Sequence, residues 1–184
     1  KPSSQQEIIM KQRIAVITGS VLAGLLIGCS QDTKQVKPIS GPTVNRSSFL
    51  LSMEPQVATS IIKVRENASD GDDVVIVGRI GGSENPWIEG RAAFSIVDGS
   101  LKACSDIEGD NCPQPWDYCC ETSKLPNATA LVKIVDEGGN LVTTDARELL
   151  EVKELSTVIV KGKAKRDDAG NLTVLADGVY IKKK

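Results

Sequence analysis

Five short runs of β-branched and apolar residues, separated by turns rich in Gly, Asp and Asn, confine this chain to a small, mainly β fold. Val74 to Ile80 (VVIVGRI) is apolar on both faces apart from Gly78 and Arg79, and a glycine in mid-strand marks a bulge or a sharp bend. Arg91 to Asp98 (RAAFSIVD) alternates Ala92, Phe94 and Ile96 against Ala93, Ser95 and Val97, the pattern of a half-buried strand. Thr129 to Asp136 (TALVKIVD) is a third strand, ending in the turn Glu137 to Asn140, with Leu141 to Thr143 a returning extension. Thr157 to Lys165 and Leu172 to Ile181 form a final hairpin around Asp167 to Asn171. Two helices accompany the strands. Pro55 suits a first helical turn, with Val57, Ile61 and Val64 on one face and a polar stop from Asn67 to Asp73. Asp145 caps the second, with Glu148 at its third position and Ala146, Leu149, Leu150 and Leu155 on its apolar side. Burial is expected for Val75, Ile76, Phe94, Ile96, Val132, Ile134, Leu149, Val158, Val160 and Val174.

The order strand, strand, strand, helix, strand, strand over Val74 to Ile181 resembles the OB-fold, a five-stranded Greek-key barrel whose helix lies between the third and fourth strands. A β-sandwich or an unrelated α+β roll is the alternative. The resemblance implies that Gly78 sits where the first strand bends to pair with both halves of the sheet. It also implies a binding surface on strands two and three and the adjacent loops. The stretches NPWIEGRAAFSIVD and PWDYCCE, with the leader described next, resemble bacterial lipoproteins of this architecture, a resemblance that implies no activity.

The leader is Lys11 to Ser30, KQRIAVITGSVLAGLLIGCS. Lys11 and Arg13 form a basic head, Ile14 to Ile27 an uncharged and mostly apolar body, and Leu26-Ile27-Gly28-Cys29 a small-residue cleavage site. The body is short for a bilayer span and has secretory-signal proportions. The segment resembles a bacterial lipoprotein signal, which implies that Cys29 carries lipid and anchors an extracytoplasmic domain. With Ser30 rather than Asp after the cysteine, the same resemblance implies the outer membrane if the cell is diderm. Met10 precedes the basic head, so residues 1–9 are expected to lie upstream of the true start. Residues 1–28 therefore read as upstream residues plus signal, and 29–53, broken by Pro38, Gly41 and Pro42, as a flexible tether. Residues 54–184 read as one OB-fold-like domain carrying a Cys-rich loop at 99–127.

Four of the five cysteines, Cys104, Cys112, Cys119 and Cys120, fall in that loop. In an oxidising compartment they read first as disulfides. Adjacent cysteines rarely bond to one another, so Cys119 and Cys120 are each expected to take one of Cys104 and Cys112, and both pairings stay open. The loop has little apolar content of its own, and closing a loop of about 15 residues contributes about 3 kcal/mol through the unfolded state. Alternatives are a four-thiolate metal site, against which stands the absence of paired Cys-x₂₋₄-Cys spacing, and thiol redox work. Asp106, Glu108 and Asp110 lack EF-hand spacing.

The chain has no histidine, which removes Ser-His-Asp and Cys-His machinery and imidazole metal sites. Residues 1–28 hold Lys1, Lys11, Arg13 and Glu7, so the net charge of −2 becomes −4 without them. Weak acidity and only two Trp, two Tyr and two Phe make nucleic acid an unfavoured partner. Lys161, Lys163 and Lys165 share one strand face, the pattern of a lysine-guarded edge strand or of a surface for an acidic polymer or phospholipid head group. Trp87, Arg91, Trp116 and Tyr118 are candidates for a ligand or partner surface, or for a satellite core under the loop. The expectation is a lipid-anchored binding module without catalysis or cofactor, whose partners are the membrane and a protein or small-molecule ligand. Metal or thiol-redox chemistry, and oligonucleotide or oligosaccharide binding, are the alternatives.

Overall fold

The computed structural model describes residues 44–183, so Cys29 and the leader lie outside the described residues. In chain order the elements are β1 (Thr59–Ser60), α1 (Ile61–Asn67), β2 (Asp73–Ile80), β3 (Ala93–Val97), α2 (Leu125–Ala128), β4 (Thr129–Ile134), α3 (Ala146–Leu150), β5 (Thr157–Arg166) and β6 (Leu172–Ile181). Strand β2 pairs antiparallel with both β3 and β5, β3 pairs with β4, β4 runs parallel to β6, and β6 closes antiparallel on β5. Five strands thus form a closed Greek-key barrel of the OB type, with α3 between its third and fourth strands.

Closure requires one strand to serve two neighbours. The first seven residues of β2 pair with β5, and Arg79 and Ile80 pair with Val97 and Ile96 of β3. Gly78 lies at the handover, as the sequence implied. A Cβ there would stand 2.8 Å from Ile61 Cδ1 and 3.0 Å from the Val97 carbonyl oxygen, so only glycine lets the two strands approach this closely. Strand β5 has a partner on each side, which corrects the edge-strand reading of the lysine stripe. Lys161, Lys163 and Lys165 instead face Asp177, Asp73 and Asp70 at 3.3, 2.8 and 2.8 Å.

The barrel interior holds nine of the ten residues expected there, with Phe94, Ile96, Val132 and Val160 fully enclosed. Val75 is the exception. Val74, Ile76 and Ile80 take the inward places of β2 and Val75 is half-buried outside, a one-residue phase that two adjacent valines do not reveal. Strand β3 is covered on both faces rather than one, because Val97 packs outward into a second cluster with Leu101, Ala103, Tyr118 and Ala128 beneath the Cys-rich loop.

Helix α1 starts six residues later than the Pro55 reading. Thr59 and Ser60 run parallel to β2, Ser60 caps the helix, and Val57 stays in solvent. Both helix ends are held by distant charges of the favourable sign. The buried Asp98 carboxylate accepts from the Ile62 N–H at 3.1 Å, and Arg166 donates to the carbonyls of Val64, Arg65 and Ala68. Helix α3 also ends early. Glu151 turns left-handed after Leu150, so Leu155 leaves the helix and packs on the second cluster. The barrel recruits chain ahead of the expected boundary at residue 54. Phe49 enters the main core, Leu51 N–H donates to the Val179 carbonyl, and Arg46 reaches the Leu150 carbonyl at the end of α3.

Candidate functional site

Strand register lines up Ser95 of β3, Leu131 of β4 and Thr173 of β6 across the outer face of the barrel. A groove of about 550 Å³ runs over this row. Thr122, Leu125 and Pro126 from the end of the Cys-rich loop form one wall, and Arg65, Thr129, Asp167, Asn171 and Leu172 complete the lining. Its charges are already engaged. Arg65 donates to the carbonyls of Thr129 at 3.1 Å and Gly170 at 3.2 Å, bracing α1 against β4 and the β5–β6 turn. Asp167 accepts from Asn171 Nδ2 and from the N–H groups of Asn171 and Ala169, and these bonds hold its carboxyl below the usual carboxylate range despite some desolvation. What remains open is a set of hydroxyls and an amide beside leucine and proline surface. Such a lining suits an uncharged, hydrogen-bonding ligand better than a phosphate chain.

The second constellation is the Cys-rich loop, which is folded rather than draped. Asp98 starts it by accepting from the Ser100 N–H and hydroxyl as well as from α1; burial opposes its ionisation, but these hydrogen bonds outweigh burial and keep its pKa below the ordinary value. Asp106 takes the Ala103 N–H and pairs with Arg79 of β2, which ties the loop to the barrel. Gly82 N–H donates to the Trp116 carbonyl, and a Cβ on Gly81 would stand 2.5 Å from that same oxygen. The loop and the β2–β3 connection therefore close on one another at van der Waals distance.

Within this frame the sulfurs converge. Cys104, Cys112 and Cys119 have their Sγ atoms within 4.8 Å of one another, and Cys119 shares a second such set with Cys120 and a carboxylate oxygen of Asp110. Cys104 Sγ lies 3.2 Å from Cys119 Sγ, and Cys119 Sγ lies 4.0 Å from Cys120 Sγ. All four thiols are free, so neither of the two expected disulfide pairings is formed. Burial, with the Cys119 sulfur next to it, pushes the Cys104 thiol up to about 12. As a free thiol, Cys104 is thus a poor nucleophile near neutral pH.

The four proposed surface residues divide. Tyr118 is fully buried in the second cluster, and Trp87 is buried against Phe94 with its Nε1 donating to Glu154 at 2.6 Å. Both belong to cores, which corrects their reading as ligand contacts. Arg91 is exposed, and Trp116 is half-buried with its Nε1 donating to the Glu84 carbonyl at 3.0 Å. Sequence reading missed the Ser95–Leu131–Thr173 row, although all three are outward residues of strands it placed. It also missed Asp98, whose only signal is an Asp between an apolar strand and Gly-Ser.

No family model and no curated protein matches the chain. Among solved structures it is similar to a mitochondrial single-stranded DNA-binding protein of S. cerevisiae, at 17% identity over 63% of this chain and 99% of that one, with a TM-score of 0.34. Among the described residues, no helix is long and apolar enough to cross a membrane.

Proposed function

We propose that this chain is a lipid-anchored, extracytoplasmic binding module without catalysis, which holds an uncharged oligosaccharide in the groove over β3, β4 and β6. The observation that carries the reading is the groove lining: Ser95, Thr122, Thr129, Asn171 and Thr173 beside Leu125, Leu131 and Pro126, with Arg65 and Asp167 engaged by neighbours. Hydroxyls and amides match sugar hydroxyls, and apolar surface matches the faces of sugar rings. The absence of histidine supports a non-catalytic role, because no side chain then has an ordinary pKa near neutral pH. The anchor rests on the basic head, apolar body and Leu-Ile-Gly-Cys order of residues 11–29, and on the lipoprotein signal they resemble.

Two experiments test the two halves. Fatty-acid labelling in a bacterial host is expected to mark the wild-type chain and to disappear in Cys29→Ser, and labelling that survives the substitution would sink the anchor. For the groove, the Cys29→Ser chain is screened against neutral oligosaccharides, acidic oligosaccharides and single-stranded oligonucleotides. Saturable binding of a neutral oligosaccharide is expected, weakened at least about tenfold by Leu131→Arg, since a charged side chain at the centre of the row blocks the contact surface. Binding that ignores Leu131→Arg contradicts the groove.

A further inference from the structure

We infer that the Cys-rich loop is a binding site for one thiophilic d¹⁰ cation, Zn²⁺ in the first instance, held by Cys104, Cys112 and Cys119 with a fourth donor from Cys120 or Asp110. Three observations converge on it. The three sulfurs come from separate pieces of chain, the turn Cys104–Asp106, the stretch after Asp110 and the turn Cys119–Glu121, yet lie within 4.8 Å of one another. Tetrahedral Zn–S bonds of about 2.3 Å place sulfurs about 3.8 Å apart, within that spacing.

Cys119, moreover, neighbours Cys104, Cys112 and Cys120 together. A disulfide gives Cys119 one partner and leaves the remaining convergence without a cause, whereas one cation takes Cys104, Cys112 and Cys119 together and draws its fourth donor from the Cys119 side. The third observation is Asp110. Its Oδ1 accepts the Cys112 N–H at 2.9 Å, while Oδ2 is buried without a hydrogen-bond partner and the carboxylate shares a ligand-sized cluster with Cys119 and Cys120. A buried carboxylate oxygen left unsatisfied is costly, and a cation bound directly to it relieves that cost.

On binding, each ligating thiol gives its proton to solvent and its sulfur lone pair to the metal, with no change of oxidation state. The cation then takes over the ordering of a loop whose own buried apolar content is little more than Leu101, Ala103 and Tyr118. Because Thr122, Leu125 and Pro126 of the same connection wall the groove, loading also firms one side of the ligand face.

The test uses the full chain as Cys29→Ser, so that only loop cysteines remain, prepared both from an oxidising compartment and under reductant without metal. Zn²⁺ titration against a chelator, native mass spectrometry and Co²⁺ as a thiolate-sensitive absorption probe read the site. One cation per chain is expected, with an intense sulfur-to-cobalt charge-transfer band and a raised thermal midpoint. Cys112→Ser and Cys119→Ser are each expected to weaken Zn²⁺ binding at least about 100-fold, and Asp110→Asn about tenfold. Circular dichroism of the metal-free variants separates lost ligation from lost folding, and wild-type stoichiometry stands without any variant. Absence of saturable Zn²⁺ binding by the reduced chain overturns the proposal. So does isolation from the oxidising compartment with the four loop thiols in two disulfides and no metal. Either result leaves the groove reading intact.

Discussion

At the residue scale, Tyr118 separates a recognition loop from a structural one. Its ring fills the second cluster, and its hydroxyl is buried without a hydrogen-bond partner. Tyr118→Ala is therefore expected to cost about 3 to 5 kcal/mol, the range for removing a buried aromatic. Tyr118→Phe removes only the unsatisfied hydroxyl and is expected to be neutral or stabilising by up to about 1 kcal/mol. Denaturant unfolding of the pair checks both, and a Phe variant that loses as much as the Ala variant would show a hydrogen bond the structure lacks. Asp98 gives a pH signature. Its folded pKa lies below the unfolded carboxylate value of about 3.9, so below that pH the unfolded chain takes up the proton first. Its stabilisation is thus present above about pH 4 and lost as pH falls through the folded value. Asp98→Asn is expected to lose about 2 kcal/mol at neutral pH and to flatten the acid limb of the stability curve, measured by urea unfolding from pH 7 downward.

At the element scale, the strands were readable and the connections were not. Five β-branched runs with turn residues between them determine which segments pair, because period-two burial is a local property of the chain. The start of α1 is not local. It depends on Thr59 and Ser60 finding β2 and on Asp98, 36 residues away, capping Ile62. The Cys-rich loop was legible as four nearby cysteines but not as a cluster around Cys119, since the turns that aim the sulfurs are tied down by Arg79, which pairs with Asp106, and by the close approach of Gly81, both elsewhere in the chain. The groove depends on register, which places Ser95 beside Leu131 and Leu131 beside Thr173 only once β4 meets β6. Gly78, readable as a bend, carries a prediction at this scale. Gly78→Ala forces its Cβ against the Val97 carbonyl and Ile96, and is expected to cost about 1 to 3 kcal/mol by overpacking. A thermal midpoint unchanged within error would mean that β2 and β3 are not in close contact there.

At the scale of the whole molecule, the closed barrel leaves no long strand edge among the described residues for a partner to extend, so recognition falls to its outer face and loops. The basic stripe on β5 is matched by Asp70, Asp73 and Asp177, and the guanidinium of the groove is bonded to backbone carbonyls. The basic side chains of these two surfaces are thus already partnered. The salt dependence of binding measures this directly, because displacing counterions from a phosphate chain gives log Kd a steep slope against log salt whereas an uncharged ligand gives almost none. Titration of the Cys29→Ser chain with its best ligand between about 50 and 200 mM salt is expected to leave Kd unchanged within about twofold. Weakening by about 100-fold or more over that range, with a single-stranded oligonucleotide the best ligand, would contradict the account.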